Sequence, residues 1–218
     1  MDIKAAIFDW DGTLIDSLMF WDVCWSMLGE VFLGSKDFRP TEEDAKRVRT
    51  VSMRDAMVIA HENYNMGRNA DELLNRTNEL IVEFYSGRAK LKSGVKEYLE
   101  HLYKNGVKMC IASATSPDML KIAIKNNGLE KYFENIFSCD TIGVGKDRPD
   151  IYFHALKGLG ADISDAWVFE DSVAAIETAV RAGFKVVGIY DKYNTAQDRI
   201  KEISTKYIGE GEDLTSLI

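Results

Sequence analysis

The sequence predicts an α/β fold: a doubly wound parallel sheet carrying an inserted all-helical cap domain. Three observations predict it. Short, almost wholly apolar runs recur along the chain, as strands buried on both faces require. Amphipathic helical patterns alternate with them, which implies a parallel sheet covered by helices. One stretch, residues 16–90, breaks the alternation and reads as helix throughout.

The first strand spans 3–8 and runs into Asp9-Trp10-Asp11-Gly12-Thr13. Residues 16–90 hold no convincing strand and read as helices over 17–33, 41–50, 53–65 and 70–87, separated by Gly34, Pro40 and Gly67. Val95, Tyr98, Leu99 and Leu102 mark the apolar stripe of the next helix, with Gly106 after its end. A strand over 107–112 follows, then a helix opened by Ser116-Pro117-Asp118, with proline in the first turn. A weaker strand covers 135–138. Pro149-Asp150 opens another helix, 166–169 is a strand, Ser172 begins a helix closed by Gly183, and 185–190 is a further strand. The predicted domains are therefore a core of residues 1–15 and 91–218 and a cap of residues 16–90.

Bulk properties limit the function classes. The 218 residues are 46% hydrophobic and 28% charged, a globular composition with enough apolar material for a real core. No apolar stretch approaches the ~20 residues that span a bilayer, and the N-terminus enters a strand without a secretion-signal layout. A net charge of −8 argues against nucleic acid as a partner. Cys24, Cys110 and Cys139 are widely spaced and form no C-x-x-C pair, as expected of free thiols in a reducing cytoplasm.

Ligands of open α/β sheets bind at the carboxyl ends of the strands, and the polar groups of this chain gather there. Asp9 and Asp11 end the first strand, Ser113 and Thr115 the second, Glu170 and Asp171 the 166–169 strand, and Lys146 lies in a glycine-containing loop before a helix. Taken singly, each has a plain structural reading: a turn for Asp-x-Asp-Gly, helix caps for Ser113 and Ser172, a solvated lysine, a strand-to-helix junction. Their joint arrival at one sheet edge is what those readings leave unexplained. An EF-hand loop starting at Asp9 fails, because Leu14 and Phe20 occupy its glycine and glutamate positions. A P-loop fails, because Asp140 and Asp147 stand where Gly and Ser or Thr are needed.

Neighbouring buried carboxylates require a cation or a proton to offset them, and oxygen ligands suit Mg²⁺ as that cation. Such a site supports phosphoryl transfer. One Asp attacks phosphorus, a second carboxylate handles protons, and a lysine and a hydroxyl hold the phosphoryl oxygens.

These motifs resemble the haloacid dehalogenase-like superfamily, in its branch with a helical cap after the first strand, and the resemblance covers the whole chain. Asp9-Trp10-Asp11-Gly12-Thr13 matches its first motif, Ser113 within Cys110-Ile111-Ala112-Ser113-Ala114-Thr115 its second, Lys146 ahead of Pro149-Asp150-Ile151 its third, and Glu170-Asp171 its fourth. The resemblance implies that Asp9 is the nucleophile. It implies that Asp11 is the general acid and base, with its backbone carbonyl on Mg²⁺. Asp9, Asp11 and Asp171 would be the metal ligands, with Glu170 supporting the metal's waters. Ser113, Ala114 and Lys146 would contact the phosphoryl group, Lys146 also keeping Asp9 ionised.

Departures narrow the choice. The superfamily's dehalogenases lack the second Asp, and its phosphonatases have Ala there; Asp11 argues against both. The β-phosphoglucomutase-like enzymes place a cap His ten residues after the second Asp, where Trp21 stands, and an Arg directly after a Val-Ser pair, where Met53 stands and Arg54 follows one place late. Trp21 and Arg54 are the cap candidates for substrate contact. The basic stretch Lys46–Arg54 is a candidate for the distal part of an anionic substrate. The plain alternatives are packing of Trp21 on Trp25, four residues on, and a solvated helix face. The sequence thus points to a cytoplasmic Mg²⁺-dependent phosphatase acting on a small phosphorylated metabolite, a monomer or weak homodimer without nucleic-acid or membrane partners. A phosphosugar mutase and a non-catalytic phosphate-binding module are the alternatives.

Overall fold

The computed structural model describes residues 1–48, 51–87 and 89–218. It divides the chain into two compact units, Met1–Leu18 with Ala89–Ile218, and Met19–Arg88.

In the larger unit six parallel strands form the sheet: β1 (Ala5–Phe8), β4 (Lys108–Ser113), β5 (Asn135–Ser138), β6 (Ala166–Glu170), β7 (Lys185–Ile189) and β8 (Lys206–Ile208), in the order β5-β4-β1-β6-β7-β8. β1 lies at the centre and is buried along its whole length, which explains its unbroken apolar sequence. Ile7 is level with Cys110 on one side and Val168 on the other. Chain order and strand order part company at β1. Connections run outward to β4 and β5 on one flank, then return to β6 and run out to β7 and β8 on the other. The carboxyl ends of β1 and β6 therefore border the topological switch point, where a crevice opens in such sheets.

Helices α5 (Val95–Lys104), α6 (Pro117–Asn126), α7 (Cys139–Ile142), α8 (Asp150–Leu159), α9 (Val173–Arg181) and α10 (Gln197–Ile203) connect the strands. One sheet face buries Ile7, Cys110, Ala112 and Val168 against Ile151, Tyr152 and Ala155 of α8 and Ile176 and Ala179 of α9. Alternate strand positions point to the opposite face. There Phe8 stacks on Phe169 with ring centroids 4.3 Å apart, and Tyr98 of α5 lies 5.8 Å from Phe169.

The smaller unit holds α1 (Phe20–Leu33), α2 (Glu42–Val48), α3 (Met53–Tyr64) and α4 (Ala70–Gly87). Phe20, Cys24, Trp25 and Leu28 form the buried stripe of α1, and Leu73, Thr77, Leu80 and Ile81 that of α4. Gly34 closes α1 in the left-handed conformation. The basic stretch is described except for Arg49 and Thr50, which lie outside the described residues.

Three expectations about elements need correction. The first helix was expected from residue 17 and begins at Phe20, because the preceding residues are otherwise engaged. Ile15 and Asp16 form a short strand, β2 (Ile15–Asp16), paired antiparallel with β3 (Lys90–Leu91), and the Ser17 hydroxyl binds Asp11. Residues 16–90 are consequently not free of strand, since Asp16 and Lys90 pair across that ladder. Sequence reading also missed α10 and β8. β8 has three residues at the sheet edge, and only Ile208 of them is buried, so it carries almost no periodic signal.

Deleting the ring that joins Phe8 to Tyr98 tests this account of the core. Phe169→Ala is expected to lower unfolding stability by about 3–5 kcal/mol, read as a reduced midpoint in urea denaturation.

Candidate active site

The site is built from the ends of three adjacent strands and one loop. Asp9 follows β1 directly, and its backbone N–H donates to the Phe169 carbonyl at 2.9 Å, so the β1–β6 pairing carries on to this residue. Glu170 ends β6 and Asp171 follows it; Ser113 ends β4. Lys146 sits in the loop between α7 and α8 and reaches both acidic strand ends, 2.5 Å to Asp9 Oδ1 and 2.8 Å to Glu170 Oε1. Oxygens of Asp9, Glu170 and Asp171 lie within 4.8 Å of one another, and all three residues are buried.

Each carboxylate has its own support. Glu170 uses one oxygen for Lys146 and the other to accept the backbone N–H groups of Asp171, at 2.8 Å, and Ser172, at 3.4 Å. The Asp171 side chain accepts the Thr13 hydroxyl at 3.2 Å, and its backbone carbonyl accepts the Asn194 amide. Asn194 belongs to the loop after β7, where buried Asp191 pairs with Lys92 at 2.9 Å. Gly12 adopts φ +80°, and a side chain there would put Cβ 2.5 Å from Asp171 Oδ2. The break after Asp11 is thus both a backbone and a space requirement.

Electrostatics follow from burial. Burial first, and then the charge of Glu170, push the Asp9 carboxyl up to about 7; Lys146 acts in the opposite direction and is outweighed. Burial, then Glu170 and Asp9, hold Asp171 well above the ordinary carboxylate range. Burial works to lower the Lys146 ammonium, but Asp9 and Glu170 override it and keep it well above its usual value. Three carboxylates face one ammonium, which leaves two negative charges when all are ionised. The donors are oxygens throughout. That set fits a small hard divalent cation such as Mg²⁺ and offers nothing to a soft metal.

The other sequence candidates fall into two groups. Ser113 is buried, and its hydroxyl oxygen accepts the Thr115 backbone N–H at 3.0 Å rather than capping α6; Ala114 between them is exposed. The Asp11 carboxylate stands outside the acidic cluster and accepts the Ser17 hydroxyl at 2.7 Å and the Thr115 hydroxyl at 2.6 Å. Trp21 and Arg54 belong to the helical unit. Trp21 packs on Trp25 with centroids 5.9 Å apart, and Arg54 pairs with Asp71 at 2.9 Å, both ends exposed. Thr13, Lys92, Asp191 and Asn194 were not anticipated. Thr13 lay in plain view within the first motif, whereas Asn194 sits in a loop with no local pattern to single it out.

The chain belongs to the haloacid dehalogenase-like hydrolase family, whose model matches residues 3–183. Protein CbbY of Rhodobacter capsulatus is 30% identical over 207 residues, covering 91% of this chain and 90% of that protein. A phosphorylated carbohydrates phosphatase of Thermotoga maritima is 28% identical over 193 residues, covering 88% of each. Among solved structures, CbbY from Rhodobacter sphaeroides in complex with phosphate superimposes with a TM-score of 0.79 at 20% identity, covering 94% of this chain and 93% of that one, a likeness of fold. Among the described residues no helix is long and apolar enough to cross a membrane, and the three cysteines are free thiols.

The raised Asp9 carboxyl makes a prediction about metal-free protein. A carboxyl that titrates higher in the folded state than in the unfolded chain adds stability below the unfolded value. That contribution disappears as pH rises through the folded value, here about 7. EDTA-treated protein should therefore lose thermal stability between pH ~4 and ~7, and Asp9→Asn should flatten part of that slope in the same melting series.

Proposed function

We propose that this protein hydrolyses a small phosphomonoester through a phosphorylated Asp9. The observation that carries the proposal is the convergence of Asp9, Glu170, Asp171 and Lys146 at the switch point of the sheet, with Asp11 two residues beyond Asp9 in a separate hydroxyl-lined setting. An Asp9 oxygen attacks phosphorus while the bond from phosphorus to the ester oxygen breaks, and Asp11 gives its proton to that departing oxygen. Water then attacks the phosphorus of the acyl phosphate and passes a proton to Asp11. The bond between phosphorus and Asp9 breaks, which returns the carboxylate and frees inorganic phosphate.

Lys146 and Ser113, with the exposed Ala114 beside them, hold the phosphoryl oxygens, and Glu170 keeps Lys146 aimed at Asp9. Asp9, Asp171 and the Asp11 carbonyl would hold Mg²⁺, which when bound neutralises charge that builds up on the phosphoryl oxygens. Glu170, already bonded to Lys146 and two backbone amides, would act on the ion's waters. Trp21 and Arg54 stay substrate candidates on sequence grounds. The phosphorylated carbohydrates phosphatase among the relatives supports a substrate of sugar-phosphate size. An acidic chain with free thiols and no membrane-spanning helix among its described residues supports work on such a metabolite in the cytoplasm.

The test is release of phosphate from p-nitrophenyl phosphate, followed by a panel of sugar phosphates. Turnover should require Mg²⁺, stop with EDTA and resume on adding Mg²⁺ back. Asp9→Asn should lower kcat by about 10³-fold or more. Interconversion of hexose 1- and 6-phosphates, stimulated by a bisphosphate, would point to the mutase instead. Phosphate binding without turnover of any ester would point to a binding module.

A further inference from the structure

The surroundings of Asp11 carry an assignment that the acidic cluster does not. Both oxygens of its carboxylate accept hydroxyl protons, Oδ1 from Ser17 and Oδ2 from Thr115. Ser17 is a near neighbour in sequence; Thr115 is 104 positions away and arrives from the end of β4. A threonine hydroxyl has one proton to donate, and at Thr115 it goes to Asp11 at 2.6 Å. The rest of the residue is pinned: its N–H donates to Ser113 Oγ at 3.0 Å, and its carbonyl accepts the Ser138 hydroxyl at 2.8 Å. Ser138 ends β5 and is level with Ser113 across the β4–β5 pairing. Three adjacent strands therefore decide where the Thr115 hydroxyl stands.

We propose that Thr115 is a positioning residue for Asp11, fixing the orientation in which its carboxyl meets the oxygen of the departing group. This rests on the phosphomonoesterase reading above. The chemistry sets the requirement. When the phosphorus–oxygen bond breaks, a basic leaving oxygen needs a proton delivered along a short, directed path, and an acidic phenol does not. Ser17 contacts Oδ1, and Thr115 adds a contact at Oδ2 that resists rotation of the carboxyl about its Cβ–Cγ bond. Thr115 touches no reacting atom in this scheme and acts only through Asp11.

Two substrates of nearly the same shape separate this role from a structural one: p-nitrophenyl phosphate, whose phenolate leaves readily, and phenyl phosphate, whose more basic phenolate needs the proton. The measured quantity is kcat/KM. It reports phosphoryl transfer to Asp9 and is blind to the later hydrolysis step common to both substrates. In Thr115→Val, which keeps the side-chain shape, kcat/KM for phenyl phosphate should fall by about 30-fold and for p-nitrophenyl phosphate by less than about threefold. Thr115→Ser, which returns the hydroxyl, should recover most of the loss. An equal loss on both substrates, no loss on either, or no recovery with serine would overturn the assignment. A wild-type protein that hydrolyses neither ester would overturn the phosphomonoesterase reading, and this assignment with it.

Discussion

The contact on which the site depends is the pairing of Lys146 with Asp9 and Glu170. Three buried carboxylates within 4.8 Å of one another repel, and desolvation makes each charge more costly. The Lys146 ammonium, itself mostly buried, touches two of the three and leaves Asp171 to the Thr13 hydroxyl. Without that ammonium Asp9 and Glu170 would lose the cation that touches them both. With it, the residual charge matches a divalent cation. A site of this kind is an electrostatic imbalance held in place by packing, and its ligand preference follows from the size and sign of the imbalance.

The packing that holds it is the sheet itself. Asp9 cannot retreat from Glu170, because β1 and β6 are hydrogen-bonded neighbours and the Asp9 backbone N–H extends that pairing. Phe8 and Phe169, stacked one residue before these acids, fix the same register from below. On the far side, Asn194 holds the Asp171 backbone, and the Lys92–Asp191 pair anchors the loop that carries Asn194. These contacts span well over half the chain, so the acidic cluster and the fold stand or fall together.

Asp9 and Asp11 show how two like residues acquire different chemistry. They are two positions apart and would share one face of an extended strand. Their side chains nonetheless meet different partners. Asp9 stays among carboxylates and a lysine, where burial and Glu170 favour its neutral form until a cation arrives. Asp11 faces two hydroxyls, at the protein's more accessible edge. The nucleophilic role proposed for Asp9 therefore requires a cation to restore its charge, and the proton transfer proposed for Asp11 uses a carboxyl oriented by two hydroxyls.

The sequence by itself determined the alternation of strands and helices, the helical insertion, and the arrival of Asp9, Ser113, Lys146, Glu170 and Asp171 at one sheet edge. All but Lys146, which lies in a loop before a helix, follow from local periodicity and from where a strand must end. The sequence could not disclose the two-residue ladder of Asp16 with Lys90, the edge strand ending at Ile208, or the service of Ser17, Thr115, Asn194 and Lys92 around the acids. Short polar pairings carry no periodic signal, and a hydroxyl or an amide in a loop looks alike whether it meets water or a carboxylate. Only strand order and register bring Thr115 across 104 residues to Asp11, because that meeting is a property of β1 lying beside β4.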